Sequence, residues 1–175
     1  MAQEAPTAPW HASFPAPQHT APLLTRDAAL PALGSGQLLL VDVRRTDYEG
    51  GTIKGSLNLP AHSFYLNRAA LYDLCTRAGI KDVAFYCDVV TDPIPDICSP
   101  HAKASPLGSS NGRGPRCSGW FADFISEKGG ESSIRALTLD GGIKGWVNAG
   151  GKFVESMEGF EPEYWKQFAQ DGATC

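Results

Sequence analysis

Cys87 ends a short apolar strand, a long loop follows, and the loop closes on Gly112-Arg113-Gly114-Pro115 just ahead of a helix. A thiol placed this way, with a guanidinium and a helix N-terminus beyond it, suits nucleophilic attack on an oxyanion. The thiolate attacks while the amides at the helix start and the arginine hold the negative charge. Cys87 is therefore the candidate nucleophile, against the ordinary alternative of an inert buried cysteine. Arg113 would bind two substrate oxygens through its planar fork and lower the thiol pKa. Gly108, Ser109, Ser110, Asn111 and Gly112 would line the loop mainly through backbone N–H groups, so their side chains matter less. Gly112 and Gly114 would allow tight curvature, a role that flexible-linker glycines would mimic.

Other reactive residue types point less clearly to chemistry. Asp42 and Arg44, at the end of another strand, read as an ion pair that holds neighbouring loops. Cys98 and His101 have a C-x2-H spacing but no second ligand pair nearby, so no zinc site is expected. Cys117 or Cys175 could resolve an oxidised Cys87, although Cys117 is more simply a helix-face residue. No acidic residue stands out as a general acid.

The elements that must position these groups follow from periodicity and punctuation. Pro6, Pro9, Pro15, Pro17 and Pro22 deny the first 22 or so residues a helix or central strand, while Trp10 and Phe14 are large enough to dock. Thr25 is a helix N-cap, with Gly34 and Gly36 closing that helix. Leu38 to Val43 is an unbroken apolar run, the signature of a strand covered on both faces in a parallel sheet. Ile53 to Pro60 reads as one extended segment. A helix is predicted over Leu66 to Ala78, with Leu71, Leu74 and Cys75 on one stripe and Gly79 as its stop. Lys81 to Cys87 is the next strand. Trp120, Phe121, Phe124 and Ile125 mark a helix after Pro115. Ala136 to Leu139 is a further strand, Ile143 and Trp146 belong to a short amphipathic piece, and Glu161 to Ala169 could form a last helix. Strands alternating with helices across Gly-rich turns predict a single α/β domain with a mostly parallel sheet.

Composition sets the outer bounds. With 175 residues, one domain with a sizeable core is expected. A net charge of -4 gives no electrostatic reason to expect nucleic acid or an anionic membrane as partner. No apolar run approaches the roughly 20 residues that span a bilayer. Five cysteines without a CxxC pair fit a reduced cytosolic or nuclear compartment.

The motifs also resemble a known family. Asp42-Val43-Arg44-Arg45, followed by Tyr48 to Pro60, looks like the opening signature of rhodanese-fold domains. Asp140-Gly141-Gly142-Ile143-Lys144-Gly145-Trp146 looks like their closing signature. Gly112-Arg113-Gly114-Pro115 is similar to the Cdc25-type phosphatases and Acr2-type arsenate reductases of that fold, fungal members especially. The resemblance covers about residues 23 to 170, after the Pro/Ala-rich tail. It implies a five-stranded parallel sheet with helices on both faces, and a catalytic cysteine opening a loop that wraps a small oxyanion or phosphorylated substrate. It implies no cofactor, only glutathione or glutaredoxin as external reductant in an arsenate reductase. Cys-x5-Arg loops suit phosphate or arsenate, and loops one residue shorter suit sulfur transfer. A sulfurtransferase and a silent binding module therefore stand as alternatives, and oligomeric state stays open.

The loop itself fits neither pattern, because 25 residues separate Cys87 from Arg113. Without Asp88 to Leu107 it would read Cys-Gly-Ser-Ser-Asn-Gly-Arg-Gly-Pro, a clean Cys-x5-Arg. That stretch holds Pro93, Pro95, Pro100 and Pro106, lacks aromatic residues and shows no period, so it reads as a retained short intron or a gene-model error. A genuine surface insertion is the alternative. The fold would tolerate it for about 1 to 2 kcal/mol of loop entropy. Catalysis would not, since misplacing the loop amides by about 1 Å costs around 100-fold.

Overall fold

The computed structural model describes residues 9–88, 112–129 and 133–168. Gly108 to Asn111, Cys98, His101 and Cys175 lie outside these, as do residues 89–107 of the proposed insertion.

Five strands form one parallel sheet in the order β1-β6-β5-β2-β4: β1 (Leu23–Leu24), β2 (Leu38–Asp42), β4 (Leu57–Asn58), β5 (Asp82–Tyr86) and β6 (Arg135–Leu139). The central strands are apolar because both faces are covered. On one face α2 (Ala61–Ala78) and α3 (Arg113–Glu127) bury Phe64, Leu71, Trp120 and Phe121 against Val41, Val83 and Phe85. On the other, α1 (Arg26–Ala32), α4 (Gly142–Asn148), α5 (Lys152–Glu155) and α6 (Pro162–Lys166) enclose Leu40, Ala84, Tyr86, Trp146 and Trp165. Thr25 caps α1, its side chain accepting from Ala28 N–H at 3.3 Å.

Several sequence expectations need correction. The segment from Ile53 to Pro60 is two strands: Gly55, at φ 76°, turns the chain between them. The first, β3 (Thr52–Ile53), leaves the main sheet to pair antiparallel with β7 (Met157–Glu158). Helix α2 begins at Ala61, because Ala61 and Phe64 continue the buried stripe one turn earlier. Leu74 is not on that stripe; it is 58% exposed. Strand β1, too short to show a period, escapes the sequence reading.

The proline-rich start has neither helix nor strand from 9 to 22, yet it lies across α2 and α3. Phe14 stacks on Tyr65, Trp10 packs against His62 and Trp120, and Trp120 Nε1–H donates to Pro15 O at 2.7 Å. The Gln18 and His19 amides donate to the Asp123 carboxylate. A Cβ on Gly119 would stand 2.7 Å from Pro17 Cβ, so the crossing requires glycine there.

Candidate active site

The site forms where β2 and β5 end, and a buried ion pair builds its floor. Arg44 Nη2 and Nε donate to Asp42 Oδ2 and Oδ1 at 2.7 and 3.0 Å. The remaining guanidinium donors reach Glu49 O at 2.9 Å and Gly51 O at 2.7 Å. Thr52 Oγ1 donates to Asp42 Oδ2, and Tyr86 OH ties Thr52 to Ser56. This network clamps the loop from Arg44 to Thr52 onto the sheet, the framework role expected of Asp42 and Arg44. Gly50 completes the clamp: at φ 72° its carbonyl accepts from Trp165 Nε1–H at 2.6 Å. A Cβ there would strike the rings of Tyr164 and Trp165.

Cys87 follows β5 and is 4% exposed. Gly114 N–H, in the first turn of α3, points at its Sγ at 3.4 Å. Curvature does not call for glycine at Gly114: its φ is not positive, and an added Cβ would meet Sγ at an ordinary van der Waals distance of 3.6 Å. Gly112 likewise is an ordinary extended residue at φ -76°. The Cys87 carbonyl accepts from Ile143 N–H at 3.2 Å, which seats the Gly141-Gly142 turn and α4 beside the thiol. The structure thus brings together Cys87, Gly112, Arg113 and Gly114, with three helix and strand ends meeting at the sulfur.

Two electrostatic features qualify the expectation. Burial dominates at Cys87 and pushes its thiol pKa up; Gly114 N–H and, as expected, Arg113 lower it, while Asp88 and Asp42 add to the rise. The Arg113 fork, moreover, is not open. Its Nη1 donates to Asp47 Oδ1 at 2.8 Å and its Nη2 to Asp47 Oδ2. Asp47 also accepts from Arg45 N–H at 3.0 Å. Its carboxyl falls to about 2, because the Arg113 and Arg45 hydrogen bonds outweigh the burial that alone would raise it.

Sequence reasoning missed Asp47, Asp88, His62, Arg116 and Lys144. Asp88 is 8% exposed, its Oδ1 has no partner, and its Oδ2 lies 3.6 Å from Lys144 Nζ. Burial raises its pKa, and the Lys144 charge opposes. Among the described residues, the buried side-chain nitrogens or oxygens without a partner are His62 Nδ1, Asp88 Oδ1 and Arg116 Nε. Burial lowers the His62 pKa, and the charges of Arg45 and Arg113 lower it further while Asp47 opposes them. The available signal for Asp47 was that a half-buried arginine needs a counter-charge. Cys117 is fully buried and its thiol is pushed well up, so it packs as a helix-face residue. No group of metal-binding side chains occurs among the described residues, and no helix there is long and apolar enough to cross a membrane.

No family model matches the chain, and neither does any curated protein. Solved structures do. Ygr203w of Saccharomyces cerevisiae, described as a yeast protein tyrosine phosphatase of the rhodanese family, superposes with a TM-score of 0.60 at 20% identity, over 84% of this chain and 98% of that one. A second structure of Ygr203w, described as a homolog of single-domain rhodanese and the Cdc25 phosphatase catalytic domain, gives 0.57 at 22% identity, over 83% and 91%. The As-Sb reductase from Leishmania major gives 0.60 at 17% identity, over 86% and 99%. At these identities the likeness speaks for architecture: the chain has the rhodanese-like α/β fold that these proteins share.

Proposed function

We propose that the chain, in the form whose loop lacks residues 88–107, is a cysteine-dependent phosphatase or arsenate reductase whose Cys87 thiolate attacks a tetrahedral oxyanion held by Arg113 and the α3 N-terminus. The observation that carries this reading is the Gly114 N–H aimed at Cys87 Sγ, with Arg113 one residue earlier. A helix of 15 residues directs its positive end at the sulfur, where it favours both the thiolate and a bound anion.

In the phosphatase reaction, sulfur forms a bond to phosphorus as the ester oxygen leaves with its electron pair and takes up a proton. Water then cleaves the S–P bond, releasing phosphate and restoring the thiol. In arsenate reduction, sulfur displaces a hydroxyl from As(V), and that oxygen leaves as water. One external thiol, glutathione or glutaredoxin, then attacks the Cys87 sulfur. The S–As bond breaks with its electron pair going to arsenic, which leaves as As(III), and a second thiol attacks the mixed disulfide, freeing Cys87 as the external disulfide forms. Because burial raises the Cys87 thiol, the reactive thiolate fraction, and with it turnover, rises with pH.

The test assays the chain as it stands, the form lacking residues 88–107, and Cys87→Ser in each. The substrates are p-nitrophenyl phosphate, arsenate with glutathione, and thiosulfate with cyanide. Turnover of either of the first two, lost in Cys87→Ser, supports the reading. Thiocyanate formation alone would assign sulfur transfer, and a stable fold dead in every assay would assign a silent binding module. Transcript sequencing across codons 85 to 115 tests the insertion itself: a message joining Cys87 to Gly108 supports a retained intron.

A further inference from the structure

We propose that His62 and Arg116 form a second anion site, separate from Cys87, that takes a phosphate group between the first turns of α2 and α3. Both helices connect strands of the parallel sheet and pack on the same face of it, so they run side by side in the same direction. Tyr65 on α2 and Trp120 on α3 meet with ring centroids 5.1 Å apart. His62 lies three residues before Tyr65, and Arg116 four before Trp120. Each is therefore one turn earlier on the same face of its helix, and the two side chains flank one groove. Trp10 joins them: its ring is 5.0 Å from that of His62 and 5.9 Å from that of Trp120. Arg116 Cζ lies 5.9 Å from the same Trp120 ring.

Both side chains carry a nitrogen that nothing answers. Three buried side-chain nitrogens or oxygens lack a partner among the described residues, and His62 Nδ1 and Arg116 Nε are two of them. A buried polar group left unpaired costs about 1 to 3 kcal/mol, so two beside one groove mark a place for a ligand. Neither helix has an acidic residue in its first turn to fill that place. The nearby charges are mostly positive: burial and then the Arg116 charge lower the His11 pKa, and burial, Arg45 and Arg113 lower that of His62 against Asp47. Hydrogen phosphate suits both nitrogens. Arg116 Nε only donates, and a phosphate oxygen accepts from it. His62 Nδ1 donates in one tautomer and in the other accepts the phosphate O–H, a donor that a carboxylate lacks.

The test follows the indole N–H resonances of the four tryptophans in the full chain at pH 7 and constant ionic strength, with chloride as the control. Inorganic phosphate stands for the free ion and phenyl phosphate for a phosphomonoester. Trp10 and Trp120 should shift, while Trp146 and Trp165, on the other face of the sheet, should stay still and report that each variant is folded. Arg116→Gln and His62→Phe should each weaken binding about 10-fold or more. Arg113→Met should change it less than about 3-fold. Tighter binding of phenyl phosphate assigns the site to an organic phosphate, and tighter binding of inorganic phosphate assigns it to the free ion. Shifts no larger than those with chloride, or shifts that survive both Arg116→Gln and His62→Phe, overturn the proposal. So does loss of binding in Arg113→Met, which would put the ion at Cys87 instead. A reading of Cys87 as a nucleophile that failed in every activity assay would leave these outcomes untouched.

Discussion

Asp42 and Asp47 stand five positions apart in the chain, each paired with an arginine, and the two pairs behave oppositely. Asp42–Arg44 is sealed, with side chains 0% and 1% exposed, and all three guanidinium nitrogens donate to the carboxylate or to the Glu49 and Gly51 carbonyls. Asp47–Arg113 joins residues 66 apart, is partly open to water, and has one hydrogen bond beyond the pair itself. Saturation makes the first a framework; incompleteness makes the second exchangeable. A buried pair with all its lone pairs satisfied cannot give up a partner cheaply, whereas a half-open one can trade it.

Breaking each pair should separate these roles. Arg44→Leu strands a buried Asp42 charge and should cost about 3 to 5 kcal/mol, read by urea denaturation. If it costs less than about 1 kcal/mol, the two pairs do not differ in kind. Arg113→Lys loses the planar fork and should lower kcat/KM about 10- to 100-fold. Stability should shift by less than about 1 kcal/mol, and a large fall in the denaturation midpoint would make Arg113 a framework residue too.

Acid should discriminate further. The Asp47 carboxyl is depressed in the folded state, so its contribution is fully present above its unfolded pKa of 3.8 and fades as pH falls toward 2. Allowing for its solvent exposure, about 1 kcal/mol should vanish across that window, and the corresponding step should be missing in Asp47→Asn. The smallest effect belongs to a third pair. Arg135 and Asp82 face each other across β6 and β5 at 2.7 Å, but Arg135 is 71% exposed. Arg135→Ala should therefore change stability by less than about 0.5 kcal/mol in a denaturant titration.

The sheet was legible because strands covered on both faces are written as apolar runs; Leu38 to Asp42 and Asp82 to Tyr86 are such runs in fact. Helix α3 was legible through Trp120 and Phe121, both fully buried. What local pattern could not show was anything decided by distant chain. Ile53 and Leu57 look like one strand until Met157 arrives to pair with the first. Trp10 and Phe14 find their places only once Tyr65 and Trp120 stand side by side. Within the site, Cys87 and Arg113 could be named from strand-end and helix-start chemistry. Their electrostatics could not, because burial sets the sign for the thiol and Asp47 reaches Arg113 from another loop.

The peg that Trp165 drives into the Gly50 carbonyl has a practical corollary. Residues near the far end of the chain brace the stretch from which Asp47 projects, while the parallel sheet proper is finished by Leu139. An expression boundary drawn at residue 160 would thus keep every strand of that sheet and still leave the charged rim of the candidate site unbraced. Such a cut would also take Trp165, Tyr164 and Phe168 out of the core on one face of the sheet.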